Sequence, residues 1–245
     1  MSYDNKKNNK NDLKKKKSFG TKKNIGQGSV RPAVKAKSAE TVPGKALPVK
    51  VGGFTSSGER TLLRPGTLLG PMPAVMVTCG SHDAPNVVTV AWTGIVCTKP
   101  PMLYISLRPE RHSHKLISES GEFVVNLVPS SLKLACDWCG MYSGRDHDKF
   151  AECPQTITAI PSEKVSCPTL AQSPLALECK VVSVTPLGSH DMFLASVEAV
   201  TVDSALLDAD GRLDLGRASL LAFAHGEYFA CGDKAADFGF SVRKR

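Results

Sequence analysis

The 245-residue chain lacks an apolar run long enough to cross a membrane. A membrane-spanning helix needs about 18 or more consecutive apolar residues, and polar residues interrupt every apolar stretch well before that length. The N-terminus also lacks the apolar core of a secretory signal peptide, because it is polar and rich in lysine. We therefore expect no membrane insertion and a cytoplasmic location, in which the eight cysteines are mostly reduced and buried.

Three common catalytic motifs are also missing. No Gly-x-Gly-x-x-Gly segment joins a predicted strand to a helix, and the chain has neither a Gly-x-x-x-x-Gly-Lys-Ser/Thr loop nor a Gly-x-Ser-x-Gly elbow. We therefore do not expect a Rossmann dehydrogenase, a P-loop NTPase or an α/β-hydrolase.

The positive charge of the chain is concentrated at its N-terminal end. Residues 1–50 hold 14 of the 31 Lys and Arg residues and 3 of the 23 acidic residues, whereas the remainder has 17 basic and 20 acidic residues. Residues 1–45 have few large apolar side chains, so we expect a disordered basic extension, followed by a transition segment at 46–64. This extension either binds RNA, anionic lipid or an import receptor, or only aids solubility. We expect no nucleic-acid binding elsewhere in the chain.

After Pro65-Gly66 the pattern becomes that of a mainly β domain with a few short helices. Runs rich in Val, Ile and Thr, bounded by Gly and Pro, predict strands, and alternation of apolar and polar residues predicts two longer strands at 175–181 and 192–202. The other predicted elements are strands at 74–79, 87–97, 102–107 and 122–127, an apolar strand region at 218–229, and helices at 112–120 and 132–140. This content is typical of a β-barrel or a β-sandwich over residues 65–245.

The densest polar cluster lies at residues 108–115, between a predicted strand end and a predicted helix start. An anion there would meet guanidinium, hydroxyl and ammonium groups and the free N–H groups of the helix. A terminal phosphate suits these groups, and a solvated basic loop is the alternative. The side chains are Arg108, Arg111, Ser113 and Lys115. His112 and His114 have no third ligand at suitable spacing, so we expect no metal site.

Two further segments carry reactive side chains. Cys136 and Cys139 form a Cys-x-x-Cys pair, which is either redox-active or two thiols packed on one helix face. His190 begins a predicted long strand, where the imidazole either contacts a ligand or is structural.

Seven sequence pieces occur in an order that resembles the flavin reductase-like, FMN-binding split-barrel family, and within it the flavoredoxin branch. They are Asn-Val-Val-Thr-Val-Ala-Trp-Thr-Gly at 86–94, Lys-Pro-Pro at 99–101, Ser-Leu-Arg-Pro-Glu-Arg at 106–111, Gly-Glu-Phe-Val-Val-Asn at 121–126, the polar stretch at 139–150, Gly-Ser-His-Asp at 188–191 and Phe-Gly-Phe-Ser-Val at 238–242. Residues 1–45 have no counterpart in this pattern.

The resemblance implies a homodimeric split β-barrel that binds FMN near the subunit interface. Backbone groups of one strand would bond the polar edge of the isoalloxazine ring; its residues are Thr89, Ala91, Trp92 and Thr93. The ribityl chain and phosphate would contact Ser106, Arg108, Arg111, Ser113 and Lys115, with Lys149 as a further cofactor contact. His190 would be the catalytic residue, oriented by Asp191.

The chemistry implied is that of a flavin oxidoreductase. NADH or NADPH would pass a hydride to the flavin, and electrons would leave to an unidentified acceptor or a partner redox protein. Three interpretations stay open on the sequence: an NAD(P)H-dependent enzyme, a non-enzymatic FMN electron carrier, and a barrel that binds a ligand other than flavin. His190 would either donate a proton or act through its position alone.

Overall fold

The computed structural model describes residues 50–51 and 53–243. The basic extension predicted at residues 1–45 lies outside the described residues. The chain divides into two compact units, Met1–Leu62 and Leu63–Arg245. In the first unit, strand β1 (Lys50–Val51) pairs antiparallel with β2 (Phe54–Thr55).

The second unit consists mainly of antiparallel strands. Its longest strands are β4 (Val75–Gly80), β5 (Pro85–Val90), β6 (Thr93–Cys97), β7 (Met102–Leu107), β8 (Glu122–Leu127), β11 (Leu175–Pro186) and β12 (Asp191–Val202). These seven strands form one sheet in the order β5-β4-β8-β11-β12-β7-β6. The shorter strands are β3 (Met72–Pro73), β9 (Ala159–Ile160), β10 (Thr169–Leu170), β13 (Leu221–Ala224) and β14 (Glu227–Ala230). Strand β13 lies between β14 and β3 in a second sheet, and β9 pairs with β10.

The connection between β5 and β6 requires the large sheet to curl. The two strands lie at opposite edges of the sheet, yet only Ala91 and Trp92 separate them in sequence. In a flat sheet the outermost of seven strands would be roughly 29 Å apart, whereas the three Cα steps from Val90 to Thr93 span at most about 11 Å. The sheet therefore closes on itself into a half-barrel, and the predicted mainly β split-barrel fold is confirmed.

Two of the predicted strands are wrong as single elements. The strand predicted at 87–97 is instead β5 and β6, interrupted at Ala91 and Trp92. The region predicted at 218–229 is the hairpin of β13 and β14, which turns at His225 and Gly226, both with positive φ. At Ala91 and Trp92 apolar residues continue through the interruption, and hydrophobicity alone does not indicate where a chain changes edge, whereas Gly226 does mark the turn in the second region.

Three α-helices lie within the described residues: α1 (His112–Ser120), α2 (Lys133–Met141) and α3 (Lys149–Glu152). Helix α1 has the predicted bounds and ends at Gly121, whose φ of 69° is left-handed. No helix in the part of the chain that the structure describes is long and apolar enough to span a bilayer.

Two hydrophobic clusters hold these elements in place. The larger contains Val77, Ile105 and Phe193 of the sheet and Ile117 of α1. The second contains Met76 and Val87 of the opposite sheet face together with Leu132, Cys136 and Cys139 of the α2 region. Because successive residues of a strand point to opposite faces, β4 and β5 contribute to both clusters. Helices α1 and α2 are thereby fixed on either side of β5.

Candidate functional site

The start of helix α1 is suited to an anion. Arg111 occupies the N-cap position with an extended backbone, and within the described residues its side chain makes no capping hydrogen bond. The first turn contains no acidic residue. A helix start has unsatisfied N–H groups and a partial positive charge, both of which favour a bound anion.

Three arginines lie beside this helix start. The Arg111 guanidinium donates a hydrogen bond from Nη1 to the Gly140 carbonyl oxygen at 3.0 Å, and Arg145 donates from Nη2 to the Glu110 carbonyl oxygen at 3.4 Å. Arg108 lies 3.6 Å from the carboxylate of Glu110 in an exposed pair, which is worth little energy in water. Each guanidinium retains further N–H groups for a ligand.

Ser113 and Lys115, both predicted to bind the phosphate, lie on different sides of α1. Ser113 is only 2% exposed and accepts a hydrogen bond from the Asn86 side-chain amide at 2.7 Å. The Lys115 side chain is 71% exposed and lies 3.7 Å from Glu119, one turn along the helix. Residues two positions apart on a helix do not face each other, so the two side chains do not converge. Ser113 presents its backbone N–H, rather than its hydroxyl, to the helix start.

A buried amide lies behind this helix start. The Asn86 side chain also donates to the sulfur of Cys79 at 3.4 Å, and its Oδ1 has no hydrogen-bond partner among the described residues. This oxygen points at Gly144, where a Cβ atom would lie 2.0 Å from it. A side chain at position 144 would therefore displace Asn86, and Ser113 with it. The loop after α2 is therefore connected to the start of α1 through Asn86, which contacts Gly144 and bonds Ser113.

The interruption between β5 and β6 exposes backbone beside the same region. Ala91 and Trp92 lie outside both strand ladders, and the Trp92 carbonyl accepts a hydrogen bond from the Ser106 N–H at 2.8 Å. The hydroxyls of Thr89 and Thr93 donate to the carbonyls of Cys136 and Tyr104, respectively. These two hydroxyls hold neighbouring elements in position, so Thr89 and Thr93 can contact a ligand only through their backbone.

Lys149 is a buried cation at the junction of three elements. Its side chain is 4% exposed, and Nζ donates to the carbonyls of Val87 in β5 at 2.8 Å and Cys139 in α2 at 2.7 Å. Burial lowers the pKa of Lys149 to about 8. The third N–H of the ammonium group remains available, so Lys149 ties α3 to β5 and α2 and retains one donor.

His190 lies against Trp92. The two rings are nearly parallel, with an interplanar angle of 3° and centroids 6.1 Å apart. The His190 Nδ1 atom is 2.9 Å from the Ser189 hydroxyl. Burial, with a smaller contribution from the charge of Arg108, lowers the pKa of His190, which favours the neutral imidazole at pH 7.

The expectation that Asp191 orients His190 is wrong. Asp191 Oδ2 instead lies 2.8 Å from Nε2 of His114, in a half-buried pair. His190 precedes β12, and its ring lies against Trp92, whereas Asp191, the first residue of β12, faces α1. The pair anchors α1 to β12.

The Cys-x-x-Cys pair is buried in the second hydrophobic cluster. Burial raises the pKa of Cys136 to about 11 and that of Cys139 to about 12. Thiol chemistry proceeds through the thiolate, which these pKa values suppress at neutral pH. Burial in this cluster favours the packed-thiol interpretation over the redox-active one.

A family model for the flavin reductase-like domain matches residues 69–231, more than half of the chain. The chain belongs to the flavin reductase-like family. Among solved structures, flavoredoxin of Desulfovibrio vulgaris (Miyazaki F) is 32% identical, with a TM-score of 0.68 over 75% of this chain and 98% of that chain. The FMN-binding protein from Thermus thermophilus, solved with bound 1-cyclohex-2-enone, is 25% identical, with a TM-score of 0.61 over 73% of this chain and 99% of its own.

A protein of Archaeoglobus fulgidus described only as uncharacterized is 30% identical over 162 residues, which are 66% of this chain and 88% of that protein. Flavin reductases with lower identity share the fold, such as the putative flavin reductase of Shewanella frigidimarina, at 21%. Together, the family and these relatives support flavin binding by this flavin reductase-like chain.

The residues around α1 fit a flavin phosphate. The helix start presents unsatisfied N–H groups, and two guanidinium groups, Arg108 and Arg111, retain free donors beside it. The free backbone of Ala91 and Trp92 is suited to the polar edge of the ring, because a flavin edge both donates and accepts hydrogen bonds. The Trp92 and His190 side chains lie together next to that backbone.

Sequence reasoning missed three residues that shape this site. Asn86, Gly144 and Arg145 all lie within the sequence pieces that carry the family resemblance, yet none was predicted as a site residue. A usable signal was the single Asn within an otherwise apolar and Thr-containing strand, because a buried amide needs a polar partner. The partner is Ser113, 27 residues away.

Proposed function

We propose that residues 65–245 bind FMN and act as an NAD(P)H-dependent flavin oxidoreductase. The observation that carries this proposal is the uncapped start of α1 with Arg108 and Arg111 beside it, together with the backbone of Ala91 and Trp92, which lies outside both strand ladders. The 32% identity to flavoredoxin and the printed description of the 25% identical Thermus protein as FMN-binding support the choice of cofactor.

The phosphate would be held by Arg108, Arg111 and the first N–H groups of α1, including that of Ser113. The exposed side chain of Lys115 lies beside Glu119, one turn along the helix, and not within the helix start. Lys115 would therefore attract the phosphate through its charge and not through a direct hydrogen bond. The ribityl chain would pass Ser106, whose N–H holds Trp92 in place. Lys149 acts by keeping β5 and α2 together and offers one free N–H toward the ligand.

FMN, when bound, supplies hydride and electron-transfer chemistry that no amino-acid side chain provides. The protein orients the reactants and limits water around them. The residues Thr89, Ala91, Trp92 and Thr93 would position the ring through their backbone. His190, neutral and packed on Trp92, is placed to hold a proton or to set the stacking distance.

The test is an anaerobic absorbance titration of the purified full chain. The visible band of oxidised flavin should be present, or appear on adding FMN, and should bleach on adding NADH or NADPH. The absence of any flavin band at saturating FMN would reject flavin binding and favour another ligand in the barrel. The nicotinamide that bleaches faster identifies the preferred reductant.

A second candidate function is a non-enzymatic FMN electron carrier between redox proteins. It is favoured by the flavoredoxin similarity, which is the highest identity among the structures compared above. Steady-state NAD(P)H oxidation in the presence of excess free flavin separates the two. Sustained turnover supports the enzyme, whereas a flavin band that is bleached only by a reduced protein partner supports the carrier.

We further propose a homodimer in the cytoplasm. The supporting observation is that edge strand β6 exposes Ile95 and Val96 next to the exposed Trp92 side chain. In a monomer these apolar side chains contact water, which is unfavourable, whereas a dimer interface would bury them. An unpaired edge strand also favours association.

A further inference from the structure

An apolar cavity of about 210 Å³ lies in the second unit, beside the tip of the β13–β14 hairpin. Its lining includes Leu69 and Thr67 from the segment before β3, Met72 of β3, Trp92, Tyr104 of β7 and Phe223 of β13. Three of these residues are aromatic, and none of the residues that line the cavity in the described part of the chain carries Asp, Glu, Lys or Arg charge. The phosphate-binding residues proposed above do not line it.

The size and chemistry of this cavity restrict what it can bind. Pockets for drug-sized ligands have volumes of about 300–1,000 Å³, so this one fits a single ring with a short substituent and excludes a dinucleotide. An ionised carboxylate or phosphate would lose water and find no Lys or Arg among the lining residues, where the imidazole of His225 is the nearest approach to a cation, so its binding is unfavourable. Aromatic walls favour a planar ring through stacked and edge-to-face contacts, and the hydroxyls of Thr67 and Tyr104 can bond one polar substituent.

We propose that this cavity is a binding site for a small, uncharged, planar ring compound with one hydrogen-bonding substituent. Trp92 is shared by the cavity and by the stack with His190, so the ligand would lie against the segment that joins β5 and β6. The cavity adjoins the proposed flavin site, because Trp92 also belongs to the segment proposed to position the flavin ring, but none of the proposed phosphate-binding residues lines it.

The chain offers a clean optical reporter for binding. It contains two tryptophans, Trp92 in the cavity and Trp138 in α2, so the Trp138→Phe variant of the full chain leaves Trp92 as the only tryptophan, which can be excited at wavelengths that tyrosine does not absorb. The probe is benzamide, an uncharged planar ring with a carboxamide. Benzoate has nearly the same shape but carries a charge, and it is the matched control ligand. Calorimetry of the unmodified chain gives the same affinities without a substitution.

Two neighbouring leucines offer matched protein controls. Leu69 lines the cavity and is 83% exposed, whereas Leu68 does not line it and is 47% exposed. Both lie in an irregular segment without strand or helix, so an aspartate at either position is compatible with folding. Leu69→Asp removes an apolar contact at the rim of the cavity and should weaken benzamide binding by about threefold or more, while Leu68→Asp should change it by less than about twofold.

The expected result is a saturable change in Trp92 emission with benzamide, an affinity for benzoate lower by about tenfold or more, and sensitivity to Leu69→Asp only. The proposal is overturned if benzamide causes neither a saturable change in Trp92 emission nor measurable heat of binding. A second copy of the chain that fills the cavity would give this result. Equal affinity for benzamide and benzoate, or equal effects of the two aspartate variants, also overturns it. Flavin absorbance in the same samples reports separately on the proposed FMN site.

Discussion

At the scale of single residues, the site depends on side chains that bond backbone carbonyls far away in sequence. Lys149 reaches Val87 across 62 positions, and Thr89 reaches Cys136 across 47. These bonds hold the ligand-binding backbone in place from within the protein. Substitution of either residue is expected to change stability and affinity together, whereas substitution of His190 should separate rate from affinity.

His190→Ala should slow the anaerobic reduction of bound flavin by NAD(P)H by about a hundredfold if the imidazole holds a proton, and leave flavin bound. The reason is that His190 contacts Trp92 and Ser189 but none of the phosphate-binding residues. Stopped-flow bleaching measures the rate, and the absorbance of the dialysed protein measures occupancy. His82→Ala, in the exposed turn after β4, is the control. Flavin loss in the His190 variant would instead make it a binding residue.

Lys149 predicts a specific pH dependence of stability. Its pKa in the folded protein is about 8, below the value near 10.4 of an unfolded lysine, so the unfolded state holds more protons between these two pH values. The contribution of this group to stability therefore rises as pH increases from 8 to 10. Relative to Lys149→Met, the wild type should gain roughly 2 kcal/mol of unfolding free energy between pH 7.5 and 10, measured by urea unfolding.

The comparison with Lys149→Met cancels the titration of groups far from Lys149, whereas the buried thiols of Cys139 and Cys79 interact with the Lys149 charge and titrate differently in the two proteins. Lys133→Met, at an exposed position in α2, should follow the wild-type curve at both pH values. An unchanged difference between wild type and Lys149→Met across this pH range would show that Lys149 is not desolvated in the native state.

At the scale of elements, α1 and the β5–β6 segment form the site together. Helix α1 is held by Ile117 in the barrel core and by the His114–Asp191 pair to β12, and the barrel must close for Ala91 and Trp92 to lie nearby. The helix start can therefore recognise a phosphate only in the folded barrel. This arrangement makes recognition of the phosphate separable from recognition of the ring.

Arg111→Ala should raise the dissociation constant of FMN by about tenfold and leave that of riboflavin unchanged. One charge-assisted hydrogen bond to a phosphate contributes about this factor, and riboflavin has no phosphate. Fluorescence titration of both flavins measures the two constants. Arg212→Ala, in the exposed loop before the 3₁₀ helix Leu215–Ala218, is the control. Equal weakening of both flavins would place Arg111 in a structural role, through its bond to Gly140.

At the scale of the whole molecule, charge and fold belong to different parts of the chain. Residues 1–50 carry the excess of Lys and Arg, while the remainder has more acidic than basic residues. The compact unit that begins at Leu63 contains every residue of the proposed site. Polyanion binding and flavin binding should therefore be separable by deletion.

Deletion of residues 1–49 should abolish retention on heparin and preserve flavin stoichiometry. Retention depends on clustered positive charge, which the deletion removes.

Size-exclusion chromatography with light scattering should give a mass close to twice that of the 26.2 kDa chain for the full-length protein, as proposed for a homodimer. A full-length monomer would contradict the dimer, and flavin loss on deletion would assign the extension to the site.

Much of the fold was predictable because the positions of many strands and helices follow from local sequence patterns. The bounds of β7, α1 and β8 agree with prediction, since apolar runs end at Pro or Gly and Gly121 stops the helix. The interruption at Ala91 and Trp92 was not predictable from periodicity, because apolar residues continue through it. The turn at His225 and Gly226 did leave a signal, since glycine is favoured in two-residue hairpin loops.

The local sequence patterns determined a mainly β fold with few helices, the α1 start as a candidate phosphate site and the separation of the basic end from the rest of the chain, while the split barrel itself was implied by the family resemblance. The first three follow from interactions among residues close in sequence. Only the tertiary structure decided which polar groups remain free. It assigned the Thr89 and Thr93 hydroxyls and two Lys149 donors to carbonyls, buried Ser113 on Asn86, and paired Asp191 with His114. Those partners lie 10 to 77 positions away, so they depend on how the sheet curls.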